Sequence, residues 1–183
     1  MIFKEKTITL KNGKTAILKS PEPSDGAKML DYIKTACGET DFLLRYPEEW
    51  AGVSVESEER WIKNGRESQN TLMITCYVDG DVAGNGEISF RGGKKTCHRA
   101  TIAIAILEKY WNLGIGSGIF TELIAAAKAH EGTEIVELEF IEGNERGKAL
   151  YEKFGFKIVG ERPNAFKQKD GRTGKEYLMQ QIL

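Results

Sequence analysis

Apolar and polar positions alternate with a period of two in some stretches of the chain and recur every three or four residues in others. The switches between these periods lay out its elements. Residues 7–10 and 14–18 alternate around Asn12-Gly13, a pair suited to a type I′ turn, and predict a hairpin. Pro21 and Pro23 break the strand. Ser24 or Asp25 then caps a helix whose apolar face is Met29, Leu30, Ile33 and Cys37, ending at Gly38. Residues 39–53 read as an irregular loop carrying Phe42, Tyr46 and Trp50. A second helix starts at Ser54 or Ser57, with Glu56, Glu58 and Glu59 where the helix dipole favours anions and with Trp61 and Ile62 as its buried contacts. Residues 71–78 and 82–90 flank Asp79-Gly80-Asp81 and predict another hairpin, followed by a turn at 91–94 and a strand over 99–107.

From there the pattern becomes strand, helix, strand. Ile119, Phe120, Leu123, Ile124 and Ala127 mark one face of a helix over 116–130, and 135–141 is a strand. Asn144 caps a helix running to Phe154. Gly155 is placed for the left-handed position after it, with Phe156 folding back on the last turn. Strands over 157–162 and 175–183 close the chain. No repeat or Pro/Gly/Ser-rich linker divides it, so residues 1–183 are expected to form a single α+β domain on one mixed sheet.

Composition narrows the function classes. A net charge of −1 argues against a nucleic-acid surface. The charged residues Lys4, Glu5 and Lys6 occupy the place of a signal's apolar core, and the longest strongly apolar run, 102–107, is far short of a membrane span. Three scattered cysteines suit a reducing compartment, and with two histidines they lack metal-ligand spacing. The expectation is a cytoplasmic protein that uses no metal and engages neither membrane nor nucleic acid.

The most informative stretch is 110–117, Tyr-Trp-Asn-Leu-Gly-Ile-Gly-Ser, between a strand and a helix. Its alternate glycines allow a tight turn and close backbone approach, and the amides of the loop and first helical turn converge on one anion-binding spot. A dinucleotide fingerprint fails because Ile119 occupies the third glycine position. A Walker A motif fails because only three residues lie between Gly143 and the pair Gly147-Lys148.

Residues 111–116, Trp-Asn-Leu-Gly-Ile-Gly, resemble motif A of the GNAT superfamily of N-acetyltransferases, (Gln/Arg)-x-x-Gly-x-(Gly/Ala), with Trp111 standing where Gln or Arg is usual. Asn144, Ala149-Leu150-Tyr151 and Gly155-Phe156 resemble the family's second signature, and the order of strand, loop, helix, strand and signature helix matches over about 99–160. The segment 42–47 and Trp111 resemble bacterial members of the superfamily. The resemblance implies a mostly antiparallel central sheet with helices on both faces and a late β-α-β unit that binds acetyl-CoA as cosubstrate. It also implies acetyl transfer to a primary amine, on a small molecule or a protein, by direct attack in a ternary complex. Homodimers are common among such proteins.

Site residues carry over position by position. The resemblance implies that Ile104, Ala105 and Ile106 present main-chain groups to pantetheine, with a backbone N–H near Ile106 as oxyanion donor. It implies that Trp111, Asn112, Leu113, Gly114, Ile115, Gly116 and Ser117 cradle the coenzyme phosphates. Asn144 combines a helix cap with coenzyme contact, Tyr151 is the acid that protonates the leaving thiolate, and Glu139 is the candidate base. Glu137, on the same strand face, and Glu87 are alternative acids. His98 reads as a turn histidine, and Lys148 and Lys153 are within reach of phosphates or simply solvated. The acceptor pocket is expected from the early helices, the loop at 38–53 and the connection at 163–173. The alternative function is a non-catalytic coenzyme A-binding or regulatory module on the same fold.

Overall fold

A computed structural model describes residues 1–183. Its elements run β1 (Lys6–Thr9), β2 (Thr15–Lys19), α1 (Gly26–Glu39), α2 (Val55–Glu67), β3 (Thr71–Val78), β4 (Asp81–Phe90) and β5 (Arg99–Ile106). They continue with α3 (Ile115–Ala129), β6 (Ile135–Ile141), α4 (Glu145–Lys153), β7 (Lys157–Lys167) and β8 (Thr173–Ile182). One eight-stranded sheet results, in the order β1-β2-β3-β4-β5-β6-β8-β7. Every neighbouring pair is antiparallel except β5 and β6.

The period-2 residues of the strands divide between two cores. Leu72, Ile74 and Cys76 of β3 face α3 and α4, where Phe120, Leu123 and Tyr151 complete the larger cluster. On the other face Tyr77 meets Met29, Tyr32 and Ala36 of α1 and Ile62 of α2. Helices therefore cover both faces, as the two apolar periods require.

Local chemistry explains the boundaries. Ser54 caps α2 by accepting the Ser57 N–H. Asp79 and Gly80 both take positive φ, 53° and 88°, which makes a two-residue I′ turn between β3 and β4. At the first hairpin the expected type I′ turn is replaced. Gly13 alone is left-handed, at φ 82°, and its N–H donates to Leu10 C=O while Leu10 N–H donates to Lys14 C=O. This is a three-residue loop, in which one glycine suffices and Asn12 keeps ordinary φ. The helix after Asp25 runs through Gly38 to Glu39.

Trp61, expected in the core, is 44% exposed, while its neighbour Ile62 is fully buried. Adjacent helical positions point about 100° apart, so both cannot face the sheet. The last two strands also extend beyond expectation. β7 continues through Pro163 to Lys167 by means of bulges, with Asn164 at φ 53°, so the connection shrinks to residues 168–172.

The parallel pair positions the site. β5 and β6 pair only from Arg99 with Ile135 to Thr101 with Glu137. Beyond that point β5 follows β4 to Ile106 and β6 follows β8 to Ile141. The sheet is split along this seam, and the remaining edge of β5 has no strand beside it.

Candidate active site

The split opens a cleft of about 830 Å³, within the range of small-molecule sites. The end of β5, the loop after it, the first turn of α3, the tip of β6 and α4 line it, with Phe42, Leu43 and Leu44 as a wall from the early loop.

One end is a nest of backbone amides. Asn112 and Gly114 take positive φ, 62° and 97°, so the loop doubles back before α3. The first intrahelical bond of α3 is Gly118 N–H to Gly114 C=O, and no side chain caps the helix. The N–H groups of Ile115, Gly116 and Ser117 are thus left for an anion at the positive end of the helix dipole. Gly114 is required for its φ. Gly116 is required by packing, since a Cβ there would lie 3.0 Å from Leu150 and 3.2 Å from the tip of Ile106.

The Leu113 side chain packs on the core and its C=O accepts the Lys11 N–H, which ties this loop to the first hairpin. Cations flank the nest from α4. The Arg146 guanidinium lies 3.4 Å over the Trp111 ring, and Lys153 Nζ donates to Ser117 Oγ at 2.9 Å. Lys11 also reaches the cleft, whereas Lys148 does not line it.

Trp111 holds the rim together, as its indole N–H donates to Ile106 C=O at 2.7 Å. A tryptophan is therefore serviceable at a position where a polar side chain is usual. The N–H groups of β5 alternate between the β4 ladder and the open side. Arg91 N–H donates to Arg99 C=O and Leu107 N–H to Ala83 C=O, which leaves the N–H groups of Ile104 and Ile106 facing the cleft.

At the other end stand Tyr151, Glu139 and Asn144. Asn144 caps α4, its Oδ1 accepting the Gly147 N–H at 2.9 Å, and it lines the cleft as well. The helix closes with a Schellman pair, Phe156 N–H to Tyr151 C=O and Gly155 N–H to Glu152 C=O, with Gly155 at φ 84°. This pair fixes the turn that carries Tyr151. The Tyr151 ring is buried beside Phe120 and Phe140, and desolvation alone pushes its hydroxyl up to about 12.

Glu139 lies at the cleft with Glu176, a buried acid from β8, and Arg162 bridges the two: it is ion-paired with Glu176 and stands 3.6 Å from Glu139. Glu137 is elsewhere. Burial raises its carboxyl, but hydrogen bonds from Arg99 at 2.5 Å and Gln180 at 2.6 Å, with the Arg99 charge, more than offset this and leave it lowered. Glu87 accepts the Ser89 hydroxyl and does not reach the cleft. His98 supplies only its C=O, to the amides of Glu134 and Ile135 at the far end of the seam.

The early loop and the β7–β8 turn touch one another, and no residue of 163–173 lines the cleft. The Tyr46 hydroxyl donates to Gln168 and accepts the Lys169 N–H, and Lys169 pairs with Glu48. Of the loop's aromatics only Phe42 enters the cleft.

Residues 39–156 match the Acetyltransferase (GNAT) family. The chain belongs to that family. It is similar to the L-amino acid N-acetyltransferase AaaT of Escherichia coli strain K12, 24% identical over 123 residues that make up 67% of this chain and 68% of that relative. Its fold matches a GNAT acetyltransferase from Streptococcus pneumoniae with a TM-score of 0.84 at 26% identity, covering 92% of this chain and 99% of that one. It also matches yncA of Salmonella typhimurium, solved with its cofactor acetyl-CoA, with a TM-score of 0.77 at 16% identity over 91% and 92% of the two chains. The protein is accordingly an acyltransferase of the GNAT type, a family that uses acetyl-CoA and acts on amines. No helix is long and apolar enough to cross a membrane.

The residues present fit such a cosubstrate. The open amides of α3 and the flanking cations suit phosphates, and the unpaired edge of β5 suits a chain of amides lying along it. Reading the sequence did not find Glu176, Arg162 or Lys11. Glu176 was visible only as an acid in an alternating strand, and the other two carry no local motif.

Proposed function

We propose that the protein is an acetyl-CoA-dependent N-acetyltransferase in which a primary amine attacks the acetyl thioester directly, within a ternary complex. The observation that carries this reading is the split between β5 and β6. It sets open helix-start amides at one end of a single cleft and the unpartnered Tyr151 hydroxyl with Glu139 at the other.

The cosubstrate supplies the activated acetyl group. Ile104 and Ile106 offer main-chain groups to pantetheine, and Ile106 N–H stabilises the charge developing on the thioester oxygen. Glu139, directly or through water, takes the proton that the attacking amine loses. Tyr151 gives its phenolic proton to the departing sulfur, and solvent then returns a proton to the phenolate while Glu139 releases its own. Asn112, Gly114, Ile115, Gly116 and Ser117 hold the phosphates, with Trp111 bracing the rim and Asn144 steadying α4.

For the acceptor we favour a free α-amino acid. Supporting this, Arg162 stands beside Glu139 and Glu176 in a small pocket adjoining the cleft, a cation with carboxylates that would complement a zwitterion. The name of the Escherichia coli relative points the same way.

The test is thiol release from acetyl-CoA across L-amino acids, polyamines and peptides with free N-termini. It is run beside melting curves with acetyl-CoA, CoA and NADH. Saturation near 100 times the dissociation constant stabilises by about 2.7 kcal/mol. Stabilisation by both CoA forms and turnover of amino acids is expected. Turnover confined to peptides or polyamines overturns the acceptor class, and binding without turnover of any amine overturns the catalytic reading in favour of a CoA-binding module.

A further inference from the structure

Tyr32 lies on α1, outside every motif that marks the coenzyme site, yet its hydroxyl ends inside the β4–β5 ladder. It accepts the Asn85 N–H at 3.2 Å and donates to Ala105 C=O at 2.7 Å. Asn85 and Ala105 are facing partners in that ladder. The side chain is 5% exposed and packs with Met29, Ala36 and Tyr77, so it reaches this point by design of the core between α1 and the sheet. Burial raises the hydroxyl's affinity for its proton, so it is a neutral donor throughout the physiological range.

The peptide it grips is the one that matters for the reaction. A trans peptide is planar, so the Ala105 C=O and the Ile106 N–H point in opposite directions. A hydrogen bond that aims the carbonyl toward β4 aims the amide into the cleft. The donated proton also polarises the peptide and strengthens the N–H on its far side, as chains of hydrogen bonds do. On the next peptide Trp111 holds Ile106 C=O at 2.7 Å. Ile106 is therefore clamped on both sides, with its N–H left free.

We propose that Tyr32 is a positioning residue for acetyl transfer, which orients and polarises the Ala105–Ile106 peptide so that Ile106 N–H stabilises the developing oxyanion. This rests on the acetyltransferase reading and assigns that reading's oxyanion donor to a tyrosine from the opposite face of the sheet.

The experiment compares wild type with Tyr32→Phe in two measurements. In steady-state kinetics the variant is expected to lose about tenfold to a hundredfold in kcat, with both KM values within about twofold, since a donor is weakened rather than removed. In the second, carbonyl-labelled [1-¹³C]acetyl-CoA is bound without amine, and the carbonyl resonance, displaced on binding to wild type, moves back toward its free position in the variant. Because removing the hydroxyl leaves two backbone groups to rearrange, Tyr32 is also replaced by 3-fluorotyrosine, whose more acidic hydroxyl keeps both contacts and should displace the carbonyl further. Unchanged kcat and an unchanged carbonyl resonance in both variants overturn the proposal while the wild-type turnover stands. A bound carbonyl that is not displaced even in wild type removes the oxyanion donor and the role of Tyr32 together. Failure of wild type to bind acetyl-CoA defeats the underlying acetyltransferase reading itself, and this proposal with it.

Discussion

A single hydroxyl shows how the fold separates chemistry from stability. Tyr151 is buried against Phe120 and Phe140, and no protein group bonds its oxygen. The ring is buried but the residue lines the cleft, so its hydroxyl is available to a ligand there rather than sealed in the core. Burial raises its pKa to about 12, so the phenol stays protonated across the physiological range. Replacement by phenylalanine should therefore lower kcat about a hundredfold while leaving the urea midpoint unchanged or slightly higher, since nothing bonded is lost. The linkage has the same sign: a raised folded pKa gives stability that is present below about 10 and fades as pH rises toward the folded value. A midpoint that drops along with kcat would mean that the hydroxyl serves the core, and Tyr151 would no longer be the acid.

Elements were legible wherever one period ran unbroken and a cap stood at its end. α3, β6 and α4 lie within a residue or two of their expected bounds because Ile119, Phe120 and Leu123 keep one face and Asn144 and Gly155 mark two ends. What stayed hidden depends on partners far along the chain. Trp61 lost the sheet to Ile62, β7 passed Pro163 by bulging, and Leu113 packs on the core with its carbonyl bonded to the Lys11 N–H. The site follows the same rule: Gly114, Asn144 and Tyr151 sit in local motifs, whereas Glu176 and the Arg162 paired with it come together only through tertiary placement. The loop glycine Gly114 and the α4 cap Asn144 make a testable pair. Gly114→Ala forces a side chain to φ 97° in open space and should cost about 1–2 kcal/mol in stability and weaken acetyl-CoA binding. Asn144→Ala removes a cap on α4 and should cost about 1 kcal/mol. Calorimetric titration with acetyl-CoA and urea unfolding of both variants check this, and unaltered affinity in Gly114→Ala would detach the loop from coenzyme binding.

Across the whole molecule the cleft exists because the sheet stays joined at one end of the β5–β6 seam and opens at the other. At the joined end Arg99 of β5 and Gln180 of β8 both donate to Glu137 of β6, which is 3% exposed. Three strands are thus tied through one carboxylate just where their pairing stops, at Thr101 opposite Glu137. Desolvation raises that carboxyl, but the two hydrogen bonds and the Arg99 charge outweigh it and hold it charged in the fold. A folded pKa below the unfolded one means that the tie is at full strength above the usual carboxylate value of about 4.3. It is lost as pH falls through the lowered folded value. Glu137→Gln should therefore destabilise the protein near neutrality by about 2–3 kcal/mol, less than a fully buried pair because a third of the Arg99 side chain meets solvent. The gap between variant and wild type should narrow in urea unfolding as pH falls below the usual carboxylate value of about 4.3 and on through the lowered folded value, because the unfolded carboxylate takes up its proton first. A gap that stays constant from neutral to acid would mean that shape rather than charge holds the seam, and the cleft's opening would then be fixed by packing alone.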